Sequence, residues 1–147
     1  MYGKIMSQKF VGNSESAFIV ISIAELGVLS LARLEDAKVL IAASRNEGAV
    51  YVCGYAIELA LKKRVCVTLG WIEYPDDGKG TETYKTFKTH DLEIPLHLSG
   101  VESVVKTKYL AEWSVVVSWN PEIRYSSAKQ NNAQAMIEST EKLLQIL

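Results

Sequence analysis

Residues 45–63 decide how this chain folds: Arg45-Asn46-Glu47-Gly48-Ala49-Val50-Tyr51-Val52-Cys53-Gly54-Tyr55-Ala56-Ile57-Glu58-Leu59-Ala60-Leu61-Lys62-Lys63. The stretch is apolar nearly all round at helical period, the pattern of a helix enclosed by other helices. One stripe departs from that pattern. Tyr51, Tyr55, Glu58 and Lys62 recur at three- and four-residue spacing and share a face. A polar group buried without a partner costs about 1–3 kcal/mol, and a charge costs more. The stripe therefore needs partners, inside the protein or on a ligand, and it is the first candidate recognition surface.

Working outward, the apolar spacing predicts a preceding helix from Ser14, as its N-cap, to about Ser44. Leu26, Leu29, Leu34, Val39, Leu40 and Ile41 supply its apolar face, and Arg33, Glu35, Asp36 and Lys38 its solvated one. Residues 17–24 are strongly apolar, but far short of the ~20 residues that span a bilayer. Glu15 and Glu25 flank them, which disfavours an export signal. They read as a buried helix segment, with a short strand as the alternative because of their β-branched content. Asn46-Glu47-Gly48 permits a tight turn, and the central helix then runs to Leu69, with Gly70 as its stop.

Residues 71–89 form a long irregular connection whose 75–80 segment is turn chemistry. A short helix follows at 91–98, its start delayed by Pro95. Ser99 and Glu102 have capping-box spacing and open a fourth helix through Trp119, which Asn120-Pro121 ends. Ser127 and Gln130 offer a second such box for a last helix to the C-terminus. Residues 1–12 read as a flexible leader and 13–147 as one helical domain. About five helices, short connections and no strand pair specify an all-α, up-and-down helical bundle.

Composition narrows the function classes. The chain has 147 residues, 48% of them hydrophobic, which is enough for one sizeable core. A net charge of −1 gives no global basic field. Local basic clusters remain at Lys62-Lys63-Arg64 and among Lys79, Lys85 and Lys88. Cys53 and Cys66 match no metal or redox spacing and read as small core residues. No Gly-rich phosphate loop, paired-carboxylate site or metal cluster is present, so neither a metal nor a cofactor is expected.

The candidate site residues each have a plain and a functional reading. Glu58 and Lys62 make an i,i+4 ion pair. A buried Glu58 would instead favour the fork-shaped cation of Arg124. His90, between Thr89 and Asp91, reads as a helix-start residue. It could also act as a general base, with Lys85 and Arg124 holding a phosphate. His97 reads as structural. Tyr51 and Tyr55 read as core aromatics with hydroxyls at the rim, or as rings on which a base stacks. Trp119 reads as a core anchor.

Several motifs fall in a family-like order. They are Ala32-Arg33-Leu34-x-Asp36-Ala37-Lys38-x-Leu40, Arg45-x-x-Gly48-Ala49-x-Tyr51, and Gly54-Tyr55-Ala56-Ile57-Glu58-x-Ala60-Leu61-Lys62. Thr89-His90-Asp91-Leu92 and Trp119-Asn120-Pro121-Glu122-Ile123-Arg124-Tyr125 follow. Together they resemble the HEPN superfamily of prokaryotic helical domains over residues 30–140. The resemblance implies a helical bundle that is usually a homodimer, acting in toxin–antitoxin or defence systems. It also implies a functional range from metal-independent endoribonucleases to RNA- or nucleotide-binding modules, often beside a nucleotidyltransferase partner. Catalytic members carry Arg, four to six residues, then His, near the start of the final helix. Here the histidines are His90 and His97, neither preceded by Arg at that spacing. Lys85 stands at the right distance from His90, but Lys lacks the planar fork of Arg. The expectation is a cytoplasmic binding protein whose binding residues are Tyr51, Tyr55, Glu58, Lys62, Arg124 and Tyr125. The alternatives are a divergent ribonuclease using His90 and Lys85, or a non-enzymatic scaffold.

Overall fold

Ser22 fixes where the first helix begins. Its backbone is extended, its hydroxyl oxygen accepts from the Glu25 N–H, and the Glu25 carboxylate accepts from the Ser22 N–H at 2.9 Å. This reciprocal capping box starts α1 (Ile23–Ala42), later than the expected start at Ser14. Ser22 also forms an isolated antiparallel bridge with Glu73, and residues 17–20 of the expected buried segment lie outside the described residues. The computed structural model describes residues 21–75 and 90–147. Ser14, the leader at 1–12 and Lys85 lie outside the described residues.

The turn after α1 also differs from expectation. Asn46-Glu47-Gly48 is the first turn of α2 (Asn46–Leu69), and the chain reverses at residues 43–45. Ser44 takes a left-handed φ of 58°. Arg45 N–H donates to Leu40 O at 2.8 Å, and Ser44 N–H to Ile41 O at 2.9 Å. This is the two-bond Schellman stop, built on a serine where glycine is usual. Helix α2 ends in the same way on Gly70, as expected: φ is 68° and Trp71 N–H donates to Cys66 O at 2.9 Å.

Helix α2 is the axis of the bundle. Ala49, Cys53, Ala56, Ile57, Ala60, Leu61 and Val65 are buried along it. Its small residues let neighbouring backbones approach, and the Ser30 hydroxyl of α1 donates directly to the Ala56 carbonyl at 2.7 Å. Helix α1 packs along its length, and α6 (Gln130–Leu144) covers another side with Ala133, Met136, Ile137, Thr140 and Leu143. Lys38 links α1 to α6 through Glu141 at 2.7 Å. Burial pushes the Cys53 thiol up to about 11, while its contact with the Thr140 hydroxyl at 3.2 Å acts in the opposite direction. Cys53 is a packing residue on this evidence.

Three short helices close the remaining side: α3 (Glu93–Leu98), α4 (Glu102–Lys108) and α5 (Leu110–Val116). Pro95 fits within the first turn of α3, where its missing N–H has no intrahelical partner to lose. The expected box at Ser99 and Glu102 does not form. The Ser99 hydroxyl donates to Leu96 O and accepts from Val101 N–H. Glu102 is instead the first residue of α4 and pairs with His97 at 2.8 Å and Lys106 at 2.9 Å. Lys106 also binds Glu93, which accepts from the Trp113 indole at 3.1 Å, so one network clamps α3, α4 and α5. The single helix expected through Trp119 breaks at Tyr109. The Ser127 box is absent as well: Lys129 precedes α6, and the Ala128 N–H donates to Glu47 at 3.2 Å.

Between α5 and α6, the Asn120 side chain accepts from Glu122 N–H and opens a 3-10 helix (Pro121–Tyr125). The described residues thus hold six α-helices and no strand, the all-α bundle that the sequence predicts. No helix among them is long and apolar enough to cross a membrane.

One packing contact sets a sharp test. The Trp119 indole lies on the backbone of Gly54, where a Cβ would fall 2.0 Å from ring atoms. Gly54→Ala is expected to destabilise the protein by at least about 1–3 kcal/mol through overpacking. Urea denaturation checks this, and an unchanged midpoint would mean that the indole does not rest on Gly54.

Candidate functional site

The α2 stripe comes together with three residues from outside the helix. Glu58 is 3% exposed and carries two partners. Lys62 lies at 3.0 Å from one carboxylate oxygen, and His90 Nδ1 at 2.8 Å from the other. Nδ1 is the ring nitrogen that meets the carboxylate, and Nε2 makes no hydrogen bond among the described residues. The His90 side chain is 54% exposed, so the imidazole sits at the rim with one nitrogen anchored inward.

Aromatic rings continue the row. Tyr55 meets Trp119 edge-to-face at 4.9 Å and Tyr51 at 5.3 Å between centroids. His90 lies edge-on to Tyr55 at 6.2 Å and to Trp119 at 6.5 Å. Lys62 Nζ stands over the Tyr74 ring at 5.1 Å, a cation–π contact. Trp119 is 2% exposed, and its Nε1 has no hydrogen-bond partner among the described residues. Packing against Gly54 and Tyr55 holds the indole, as the core-anchor reading expects.

The two phenols form a polarised pair. Their oxygens are 3.4 Å apart. Burial, then the bond to Tyr51, pushes the Tyr55 phenol up to about 12. The Tyr51 phenol is held below its ordinary value, first by the bond to Tyr55 and then by Arg124. Either hydroxyl can donate in this pair, and the nearby Arg124 guanidinium adds to the lowering of the Tyr51 phenol.

Arg124 corrects a sequence expectation. It does not pair with Glu58. It lies near the Tyr51 phenol, stacks at 4.8 Å over Tyr125, and lies 3.8 Å from Glu122. The 3-10 helix delivers it to the Tyr51 end of the stripe. Tyr51 and Glu58 are seven residues apart on α2, which at 1.5 Å per residue is about 10 Å. Lys62, one turn after Glu58 on the same helix, takes the carboxylate instead.

The structure therefore gathers Tyr51, Tyr55, Glu58, Lys62, His90 and Arg124 into one row, with Tyr125 exposed at its end. Sequence reasoning missed Gly54 as the seat of Trp119. The signal was present: a glycine inside a helix costs about 1 kcal/mol relative to alanine and usually has a packing reason. Tyr74 was also missed, because nothing local links it to Lys62. Among the described residues no group of three or more His, Cys, Asp or Glu side chains is placed to hold a metal. No family model, curated protein or solved structure matches the chain.

The pairing of Glu58 is open to a double-mutant cycle. Glu58→Ala leaves Lys62 uncompensated and is expected to cost about 3–5 kcal/mol. Combining it with Lys62→Met should recover part of that loss. Glu58→Ala with Arg124→Met should add to within about 0.5 kcal/mol. Strong coupling to Arg124 with none to Lys62 would contradict the arrangement.

Proposed function

We propose that this chain is a HEPN-like helical domain that acts by binding, and that its ligand is RNA or a nucleotide met along the α2 face. The order of motifs over residues 30–140 and the helical bundle support the first part. One observation carries the second: His90 and Arg124 are about half exposed on the same row as Tyr51 and Tyr55. A guanidinium and an imidazole interleaved with aromatic groups suit a phosphate-bearing, base-bearing chain. The setting implied by the resemblance is cytoplasmic toxin–antitoxin or defence, with a nucleotidyltransferase as a possible protein partner.

A second reading, a divergent ribonuclease, draws on the anchored His90, whose Nε2 has no hydrogen-bond partner among the described residues. Binding is favoured over it on the geometry of the described residues. Cleavage needs a cation on the scissile phosphate within hydrogen-bond reach of the proton-transferring group. Arg124 lies at the Tyr51 end, about 10 Å along α2 from the Glu58 level. Lys62 is neutralised by Glu58. The expected result with labelled single-stranded RNA and no metal is salt-sensitive binding without multiple-turnover cleavage. Arg124→Ala should weaken binding and lower the salt slope by about one. Turnover abolished by His90→Ala would establish the enzyme instead.

The same proposal includes a homodimer. Val28, Leu31 and Val39 are 53%, 59% and 69% exposed, and their spacing places them on one outward face of α1. A second copy covering that face would bury them. Sedimentation equilibrium is expected to give twice the chain mass at micromolar concentration, falling toward the monomer in Leu31→Glu. A monomer for the parent protein across that range excludes the dimer.

A further inference from the structure

We infer that Tyr125 is a base-stacking platform, so that the site selects a single-stranded nucleotide over a duplex or a bare phosphate chain. The inference rests on the nucleic-acid reading above and adds which part of the ligand is read. Tyr125 closes the 3-10 helix and is 75% exposed, while Tyr51, Tyr55 and Tyr109 are only partly exposed and Tyr74 is buried. Leaving such a ring in water forfeits the burial that most large aromatics obtain. Sequence alone suggests stacking by Tyr51 and Tyr55. The structure engages Tyr55 with Trp119, Tyr51 and His90, so its ring is already packed.

The Tyr125 ring is also prepared for a ligand. The Arg124 guanidinium covers one face at 4.8 Å. At 75% exposure the other face is open to solvent. The segment is stiff: Asn120 caps it, Pro121 begins it, and Ser126 N–H donates to Ile123 O at 3.0 Å. Ile123 packs against the core and anchors it. Two side-chain torsions are all that a tyrosine must fix on engagement. A base on the open face would stack on a ring whose other face the guanidinium already backs, and its phosphate would have to pass the ring edge to meet Arg124. Bases in a duplex already have both faces covered by their neighbours, which is why stacking platforms take single strands. Glu122, 73% exposed and 3.8 Å from Arg124, opposes the phosphate and moderates the affinity.

The test measures affinity of the whole protein by fluorescence anisotropy for three labelled probes of equal length. These are a single-stranded RNA, the same sequence as a duplex, and an abasic ribose-phosphate strand. The parent protein should prefer the single strand. Tyr125→Ala should weaken the single strand about 5- to 100-fold and leave the abasic strand unchanged. Tyr125→Trp should restore the preference, and Glu122→Gln should tighten both single-stranded probes. An exposed site makes misfolding of Tyr125→Ala improbable, and circular dichroism checks it. Equal parent affinity for RNA and abasic strand, or no loss in Tyr125→Ala, overturns stacking while leaving phosphate binding intact. Absence of binding to any probe overturns the nucleic-acid reading itself.

Discussion

A carboxylate in the middle of an apolar helix must be paired, and the pairing of Glu58 organises one whole face of this bundle. Glu58 could not remain 3% exposed without compensation. Lys62 supplies the charge from the next turn of α2, so the pair forms as soon as the helix does. His90 supplies the second contact from across the long connection and fixes where the chain re-enters the bundle before α3. A buried ion pair of this kind adds little net stability over a well-packed apolar pair. Its consequence here is geometric, since it fixes the imidazole in one orientation at the rim.

The aromatic row depends on a second constraint, the contact of Trp119 with the Gly54 backbone. Because the indole sits so low, Tyr55 can lie across its edge, and Tyr55 in turn reaches Tyr51. The phenols then have unequal environments, with Tyr55 driven up to about 12 and Tyr51 held down. Trp119, far off in sequence, is thus seated by a glycine with no side chain to keep it away.

Much of the fold was legible locally. The enclosed character of α2 follows from apolar residues on every side, and its end follows from Gly70, whose left-handed backbone glycine adopts at low cost. The failures share a cause. Gly48 suggested a turn that Ser44 makes instead, and Ser99 and Ser127 suggested caps on spacing alone. Ser22 carries the box because Glu25 turns back to it, while Ser99 spends its hydroxyl on Leu96 and Val101. Serine with a downstream acid or amide is a weak signal whenever another backbone group competes for the hydroxyl. In the site, the residues sharing α2 were identifiable from helical period. The partners of those residues were not: a buried carboxylate asks for a cation, and choosing Lys62 over Arg124 requires the tertiary path of the 3-10 helix.

Charge placement along the row then bears on what the site can do. Glu58 pairs with Lys62, so among the described residues of the row Arg124 is the cation that stands about half exposed. A protein of net charge −1 provides little long-range attraction. Short-range contacts, directed hydrogen bonds and ring faces, are what this face offers instead. At the Tyr51 end a phenol, a guanidinium and an open ring are adjacent. At the Glu58 end stands an oriented imidazole beside Lys62, which is paired with Glu58. Among the described residues the guanidinium and the imidazole are thus set at opposite ends of the row, about 10 Å apart along α2, too far for one to hold a group at the point where the other could act on it.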